Sequence, residues 1–166
     1  MAEIYSFVMP SKDRAHFLPE SIKSILNQTD PDWELIVVDD HSQDNTEEVV
    51  RSFGDERIHY VRLIDGTGPA AARNCGIRAA QGSMILLIDS DDRCLPTRLA
   101  VTRVAVKEHP DTEVFYSQIQ FLELNGSTRI KPSQRFSIKL LRMYNYISTI
   151  AIAFSKDAFI QSPGFD

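Results

Sequence analysis

The chain has few cysteines, no long apolar stretch and no excess of positive charge, and each shortage excludes a class of protein. Its two cysteines, Cys75 and Cys94, show neither a metal-binding spacing nor a disulfide framework, so we expect reduced thiols of a cytosolic protein. No stretch approaches the roughly 18 apolar residues of a membrane-spanning helix, and no membrane segment is expected here. The opening residues also lack the basic and apolar regions of a signal peptide.

The charge balance is acidic, with a formal net charge of −5 over 166 residues. It argues against a general affinity for nucleic acid or for an anionic membrane surface. A phosphate-bearing ligand fits this balance only if its charge is met locally, by a metal ion or by a few well-placed donors. The length suits a single domain.

Glycine is missing from the turn after the first predicted strand, which covers residues 4–9 and is followed by Pro10, Ser11, Lys12, Asp13 and Arg14. A dinucleotide-binding domain needs G-x-G-x-x-G at this place, and no P-loop is found in the chain either. A phosphoacceptor receiver domain would need an acidic pair after the first strand. All three classes are therefore excluded.

Short apolar strands alternate with helical patterns in the first two thirds of the chain. Strands are predicted over residues 4–9, 34–38, 58–60 and 84–88, and helices over 18–26, 44–53, 69–81 and 96–108. This alternation predicts an α/β fold with a mostly parallel central sheet flanked by helices. From Glu113 the pattern changes to a long strand over 114–124, an antiparallel hairpin turn at Asn125-Gly126, a surface excursion over 131–144, a strand-like stretch over 147–154 and a short helix over 156–160.

Three carboxylates follow the buried strand 84–88 within four residues, in the run Asp89-Ser90-Asp91-Asp92. Ligands of open α/β sheets bind beyond the carboxyl ends of the strands, where this run lies. A divalent cation that bridges carboxylate and phosphate oxygens would relieve the repulsion between these charges. A solvated acidic turn is the simpler alternative.

Two other strands deliver polar residues to the same predicted edge. The first ends in Pro10 and Ser11 and the second in Asp39 and Asp40, whose carboxylates suit a base or a ribose, although helix capping would also explain them. The loop before the third long helix carries Gly66 and Gly68, which either admit a phosphate or allow tight packing. In that helix, Arg73 can pair with a carboxylate or with a substrate diphosphate.

Five ordered motifs resemble those of family 2 glycosyltransferases of the GT-A fold, and the resemblance covers nearly all of the chain. They are the opening strand with Ser11-Lys12-Asp13-Arg14, the helix end Ser24-Ile25-Leu26-Asn27-Gln28-Thr29, the stretch 34–46 around Asp39-Asp40, the stretch Ala72-Arg73-Asn74-Cys75-Gly76-Ile77, and Asp89-Ser90-Asp91-Asp92 with Leu95-Pro96-Thr97-Arg98-Leu99. Gly164-Phe165-Asp166 resembles the start of a later family motif.

The resemblance implies a Rossmann-like GT-A domain of polysaccharide biosynthesis that binds a nucleotide-sugar, often a UDP-sugar, with Mg²⁺ or Mn²⁺. Asp40 would contact the base, Asp89 the ribose or the metal shell, and Asp91 the metal that bridges the diphosphate. The donor-binding residues implied are Pro10, Ser11, Asp40, Arg73, Asp89 and Ser90. Transfer would invert the anomeric centre, with a glycan or a lipid-linked molecule as acceptor.

The chain departs from the family pattern at Lys12 and Asp13, where an aromatic residue and Asn are usual, and at His41, where a small residue is common. The family's catalytic base lies in an acidic motif beyond Asp166, and Asp157 and Asp166 are candidates by position alone. We therefore expect one GT-A domain over 1–166, cut short at its C-terminus, with a nucleotide-binding half over 1–112 and the start of the acceptor-side half over 113–166.

Two alternatives to a complete inverting glycosyltransferase stay open at this point. A catalytically incomplete module could bind a nucleotide-sugar or act as a scaffold without turnover. A sugar nucleotidyltransferase shares acidic metal ligands on a similar sheet, but it would carry a glycine-rich, basic turn after the first strand. A cytoplasmic location is expected, and membrane association through parts outside these residues stays compatible with it.

Overall fold

The computed structural model describes residues 3–123, 125–131 and 134–166. The chain alternates strands and helices up to residue 116 and then adds a hairpin, a short helix and a returning strand. In chain order the elements are β1 (Tyr5–Ser11), α1 (Leu18–Leu26), β2 (Trp33–Asp39), α2 (Thr46–Arg51), β3 (Ile58–Arg62), α3 (Pro69–Ala79), β4 (Met84–Leu87), α4 (Arg98–Glu108), β5 (Val114–Tyr116), β6 (Ile119–Leu122), β7 (Thr128–Lys131), α5 (Ile138–Met143), a 3₁₀ turn (Thr149–Ala151), β8 (Ile152–Ser155) and α6 (Lys156–Ile160).

Six strands form one sheet in the order β3-β2-β1-β4-β8-β5. The first four strands in this order are parallel, and β8 runs antiparallel to both of its neighbours. The mostly parallel sheet predicted from the alternating pattern is confirmed. The hairpin predicted at Asn125-Gly126 is also present, because β6 and β7 pair antiparallel on either side of that turn.

The apolar core lies on both faces of this sheet, as expected for strands that are apolar at almost every position. Alternate residues of β1 and β2 point to opposite faces: Phe7 and Leu35 face one cluster, which α1 and α4 cover, and Val8 and Ile36 face the other, which α3 and α6 cover. Every residue of β1, β2 and β4 is buried. The strands that carry the candidate site residues are therefore held rigidly from both sides.

A buried carboxylate fixes the amino edge of the same strands. Glu34 of β2 accepts hydrogen bonds from the hydroxyl of Ser6 in β1 (2.6 Å) and from the backbone N–H groups of Gln81 (2.5 Å) and Gly82 (3.1 Å), which precede β4. Buried polar groups must find such partners, since an unpaired one costs free energy. This cluster helps to set the alignment of β1, β2 and β4, whose other ends carry the polar turns.

The structure differs from the predictions mainly after residue 113. The single long strand predicted over 114–124 is wrong: β5 belongs to the large sheet and β6 to the hairpin, and Leu124 lies outside the described residues. The stretch 131–144 contains an unpredicted helix, α5, whose first turn is capped by the Ser137 hydroxyl. Stretch 147–154 begins as a 3₁₀ turn before β8. Within the described ranges, no helix combines the length and apolar character needed to cross a bilayer.

Helix α3 packs against the sheet at a glycine, and this contact generates a prediction. A Cβ atom at Gly76 would lie 2.6 Å from Cγ1 of Val8 and 2.9 Å from Cγ2 of Val38. Gly76→Ala should lower the free energy of unfolding by about 1–3 kcal/mol from overpacking, less the gain of about 1 kcal/mol in helix propensity. Urea denaturation measures the change.

Val8→Ala provides the matched control, because it removes Cγ1 of Val8, the methyl group nearest to the new Cβ. The double variant should be more stable than the sum of the two single changes predicts. Strict additivity would contradict the close approach of α3 to β1.

Candidate functional site

Strands β1, β2 and β4 end at one edge of the sheet, and the three polar turns meet there. Ser11 is the register partner of Asp39, and the Asp40 amide donates to the Ser11 carbonyl (2.8 Å). Ile88, which precedes the acidic turn, continues the pairing by donating to Val8 (3.2 Å). Pro10 and Ser11 are buried, and the Ser11 hydroxyl has no hydrogen-bond partner within the described residues.

Asp39 is fully buried, and its carboxylate is satisfied by the protein. It accepts hydrogen bonds from the Ser42 amide (2.8 Å), from the Tyr60 hydroxyl (2.5 Å) and from Nη1 of Arg62 (3.1 Å). Burial and the bond to Asp39 raise the pKa of Tyr60 to about 12. Asp39 therefore holds the turn after β2, close to the capping role considered from the sequence. Tyr60 and Arg62, on the edge strand, were not predicted from the sequence as partners of Asp39. Because they are two residues apart in a strand, they share one face of the sheet, and this spacing could have indicated them.

Asp40 is also buried, but it binds a different part of the chain. Its two carboxylate oxygens accept hydrogen bonds from the backbone N–H groups of Thr67 (2.7 Å) and Gly68 (3.0 Å), and Lys12 Nζ lies 3.6 Å from Oδ2. Gly68 has φ = +90°, a conformation that favours glycine. Asp40 thus fixes the loop that leads into α3, and each of its oxygens accepts one backbone N–H.

The residues that depart from the family pattern, Lys12, Asp13 and His41, lie where the loops after β1 and β2 are joined by hydrogen bonds. The Asp13 carboxylate accepts a hydrogen bond from the Gln43 amide (2.7 Å), and the Asp13 amide donates to the Ser42 hydroxyl (3.0 Å). Asp13 and His41 have φ values of 51° and 62°, in the left-handed region. Lys12 adds a positive charge beside Asp40, where the family usually has an aromatic ring.

Arg73 of α3 reaches the acidic turn. Its Nη2 atom lies 2.6 Å from Oδ1 of Asp89, and only 15% of its side chain is exposed. The Arg73 Nε atom is buried without a hydrogen-bond partner in the described part of the chain. Of the two roles considered from the sequence, the structure thus shows the pairing with a carboxylate.

The remaining carboxylates of the turn lack partners in the described ranges. The turn is closed by a bond from the Asp92 amide to the Asp89 carbonyl (3.0 Å), with Ser90 buried and Asp91 exposed. Burial, together with the charges of Asp89 and Asp91, raises the pKa of Asp92 to about 6. Asp91 and Asp92 therefore carry the uncompensated negative charge of this edge.

A divalent cation fits these carboxylates only if water and substrate phosphates supply the rest of its ligands. Among the described residues, no group of three or more His, Cys, Asp or Glu side chains is arranged to hold a metal ion. Mg²⁺ in particular is commonly held by one or two carboxylates, with water and substrate phosphates completing its shell. The exposed oxygens of Asp91 and the partly paired ones of Asp89 suit that mode of binding.

Two carboxylates, Asp157 and Asp166, were considered as a base by position alone. Asp157 lies away from the acidic turn, and Asp166 follows a residue that is bound to α3. The Lys156 amide bonds the Ser83 carbonyl (2.7 Å), so Asp157 lies near the amino end of β4, opposite the acidic turn. Asp166 follows Phe165, whose backbone N–H and C=O are both bonded by the side chain of Asn74 (2.9 and 2.7 Å). Since Asn74 follows Arg73 in α3, the chain after Phe165 is held beside that helix.

Asp92→Asn should stabilise the protein in a pH-dependent way. Because the folded state raises the pKa of Asp92 to about 6, the stability that its protonated form provides is complete below pH about 4 and is lost as the pH rises through 6. Asparagine imitates the neutral form, so the variant should gain about 1–2 kcal/mol at pH 7.5 and almost nothing at pH 4. Urea denaturation at both pH values measures this gain.

Asp111→Asn, which removes an exposed carboxylate far along the chain, serves as the control for net charge. An equal gain for both variants, or a gain of Asp92→Asn that does not change with pH, would contradict the repulsion within the turn.

Comparison of the sequence with known proteins matches this chain to glycosyltransferases. The sequence profile of glycosyl transferase family 2 matches residues 6–159. A UDP-Glc:alpha-D-GlcNAc-diphosphoundecaprenol beta-1,3-glucosyltransferase of Escherichia coli, WfgD, is 41% identical over 96 residues, which cover 58% of this chain and 38% of the relative.

Two solved structures share the fold. TarS 1-349 of S. aureus in complex with UDP-GlcNAc is 27% identical, with a TM-score of 0.63 over 66% of this chain and 32% of its own. The mannosyltransferase PcManGT from Pyrobaculum calidifontis, in complex with GDP-Man and Mn²⁺, is 21% identical, with a TM-score of 0.70 over 100% of this chain and 48% of its own. The chain thus spans less than half the length of each of these proteins.

Proposed function

Because the chain belongs to glycosyl transferase family 2, we propose that it forms the donor-binding part of an enzyme that transfers a sugar from a nucleotide-sugar to an acceptor. The observation that carries this proposal is the pattern of charge at the carboxyl edge of the sheet. Asp39, Asp40 and Asp89 have partners within the protein, whereas Asp91 is exposed and unpaired in the described ranges. This pattern leaves a negative charge for a bound cation.

Asp91, with Asp89 beside it, would hold Mg²⁺ or Mn²⁺. When bound, such an ion compensates the charge of a diphosphate and the charge that develops on it as a leaving group. The Mn²⁺ in the PcManGT complex supports a divalent ion in this fold. The ion pair of Arg73 with Asp89 restrains the Asp89 carboxylate, and we assign the remaining donors of the Arg73 guanidinium to a donor phosphate.

The nucleoside would lie over the edge formed by β1 and β2. We assign the base contact to Asp40, whose oxygens also hold the loop at Thr67 and Gly68. Pro10, Ser11 and Ser90 are buried and would form the floor of the donor site. A UDP-sugar is the donor that we favour, because TarS, which is 27% identical to this chain, was solved in complex with UDP-GlcNAc.

The acceptor is proposed from a relative alone. WfgD is described as acting on GlcNAc-diphosphoundecaprenol, so a lipid-linked sugar is a reasonable acceptor class for this chain. We expect the transfer to invert the anomeric centre, with a carboxylate base beyond Asp166 that takes the proton of the acceptor hydroxyl.

Asp91→Asn tests the proposal, with UDP titrated calorimetrically in Mn²⁺ and in EDTA. The unaltered chain should bind UDP more tightly with Mn²⁺, and the variant should lose about tenfold or more of that affinity, as expected when a metal ligand is removed. Its affinity in EDTA should not fall, because the carboxylate acts through the ion.

Asp111→Asn is the matched control, since it removes one carboxylate from an exposed position outside the site. The proposal is wrong if the unaltered chain binds UDP equally well in both buffers, or if Asp91→Asn keeps the full effect of Mn²⁺.

A further inference from the structure

Helix α1 and the residues just after it carry two side-chain stripes, one apolar and one polar. The first stripe, Leu18, Ile22 and Ile25, is fully buried in the core. The second consists of Ser21 and Ser24 in the helix and Gln28 just after its end. Their spacings of three and four place them on one side of the helix. Ser21 and Gln28 are 1% and 8% exposed and Ser24 between them is half-buried, so most of this polar stripe does not face water.

The polar stripe binds the backbone of the segment that begins with the acidic turn. The Ser21 hydroxyl donates to the carbonyl of Ser90 (2.7 Å), and the Ser24 hydroxyl accepts from the amide of Cys94 (3.0 Å). The Gln28 amide donates to the carbonyl of Leu95 (2.9 Å). These bonds span 67 to 70 residues of sequence and hold the chain at both sides of Asp91.

The same stripe also fixes the start of the next helix. The side-chain carbonyl of Gln28 accepts a hydrogen bond from the amide of Leu99 (3.0 Å), in the first turn of α4. The Thr29 amide adds a bond to the carbonyl of Pro96 (2.8 Å). Amides in the first turn of a helix have no intrahelical partner, so Gln28 supplies one of the bonds that α4 needs.

The segment between β4 and α4 needs such external partners because it forms no regular secondary structure. Residues 88–97 lie outside strands and helices, and their buried backbone groups cannot all bond to each other. The polar side chains at and after the end of α1 supply several of these partners. Without these bonds, the segment would be free to adopt other conformations, and Asp91 would move with it.

We infer that the polar stripe of α1, through Ser21 and Gln28 above all, is a positioning device that presets the acidic turn for a divalent cation and a nucleoside diphosphate. The inference rests on the proposed function for its ligand. Neither residue touches the ligand: they act through the backbone at Ser90, Leu95 and Leu99. Residues that orient metal ligands from behind commonly change metal affinity by about 10- to 100-fold when they are removed.

Gln28→Met and Ser21→Ala test the inference, because each removes the polar contacts with a limited change of volume. We expect each variant to weaken UDP binding in Mn²⁺ about tenfold and to leave UDP binding in EDTA unchanged. Hydrogen exchange at residues 89–99 should accelerate, while exchange in β1 and β2 stays as in the unaltered chain.

Ile25→Val is the matched control, since it removes one methylene from the apolar stripe of the same helix. It should lower the midpoint of urea denaturation and preserve the ratio of UDP affinities with and without Mn²⁺. The inference is overturned if Gln28→Met and Ser21→Ala preserve this ratio, or if Ile25→Val reduces it as much as they do.

The design separates this inference from the proposed function. If the unaltered chain binds UDP equally well with and without Mn²⁺, the proposed function fails together with the ligand named here, and hydrogen exchange then decides whether the polar stripe positions the segment. Slow exchange across residues 89–99 in both polar-stripe variants would overturn it, whereas fast exchange confined to that segment would support it.

Discussion

Negative charge is concentrated at one edge of the sheet, and the loops around that edge are arranged to compensate it. Parallel strands bring the turns after β1, β2 and β4 to the same edge, which therefore carries the carboxylates of Asp39, Asp40, Asp89, Asp91 and Asp92. Such a cluster is tolerated only where each charge is paired or solvated. Asp39 is paired by Tyr60 and Arg62, and Asp40 by backbone amides and Lys12.

The negative charge of this edge is only partly compensated by the described residues. Arg73 pairs Asp89 on one flank of the acidic turn, and Asp91 and Asp92 are left without partners in the described ranges. The raised pKa of Asp92, to about 6, is a direct consequence of burial beside the other two carboxylates. A polyvalent cation would relieve this repulsion, and a diphosphate would complete its coordination.

The core strands could be predicted from the sequence because their apolar runs are short, continuous and bounded by turn residues. Met84, Leu86 and their neighbours in β4 are an example: no other element fits a four-residue run that is buried on both faces. Residues 114–122 could not be resolved in this way. Their alternating pattern suits any half-buried strand, and only tertiary pairing divides it between β5 and β6.

The site was predictable in its location but not in its internal pairing. The positions of Asp40, Arg73 and Asp89 after strands and in α3 indicated one edge, because topology alone brings them there. The bonds of Asp40 to Thr67 and Gly68 depend on a loop conformation with positive φ, which no spacing rule encodes. The contact of Gln28 with Leu95 and Leu99 likewise joins segments that only the folded chain brings together.

A crystal structure of the chain grown with UDP and Mn²⁺, with diffraction recorded at the manganese absorption edge, would show whether Asp91 holds the metal ion. We expect one anomalous peak within coordination distance of an Asp91 carboxylate oxygen and of the UDP diphosphate. UDP bound at this edge with no manganese beside Asp91, or manganese bound at another place, would contradict it.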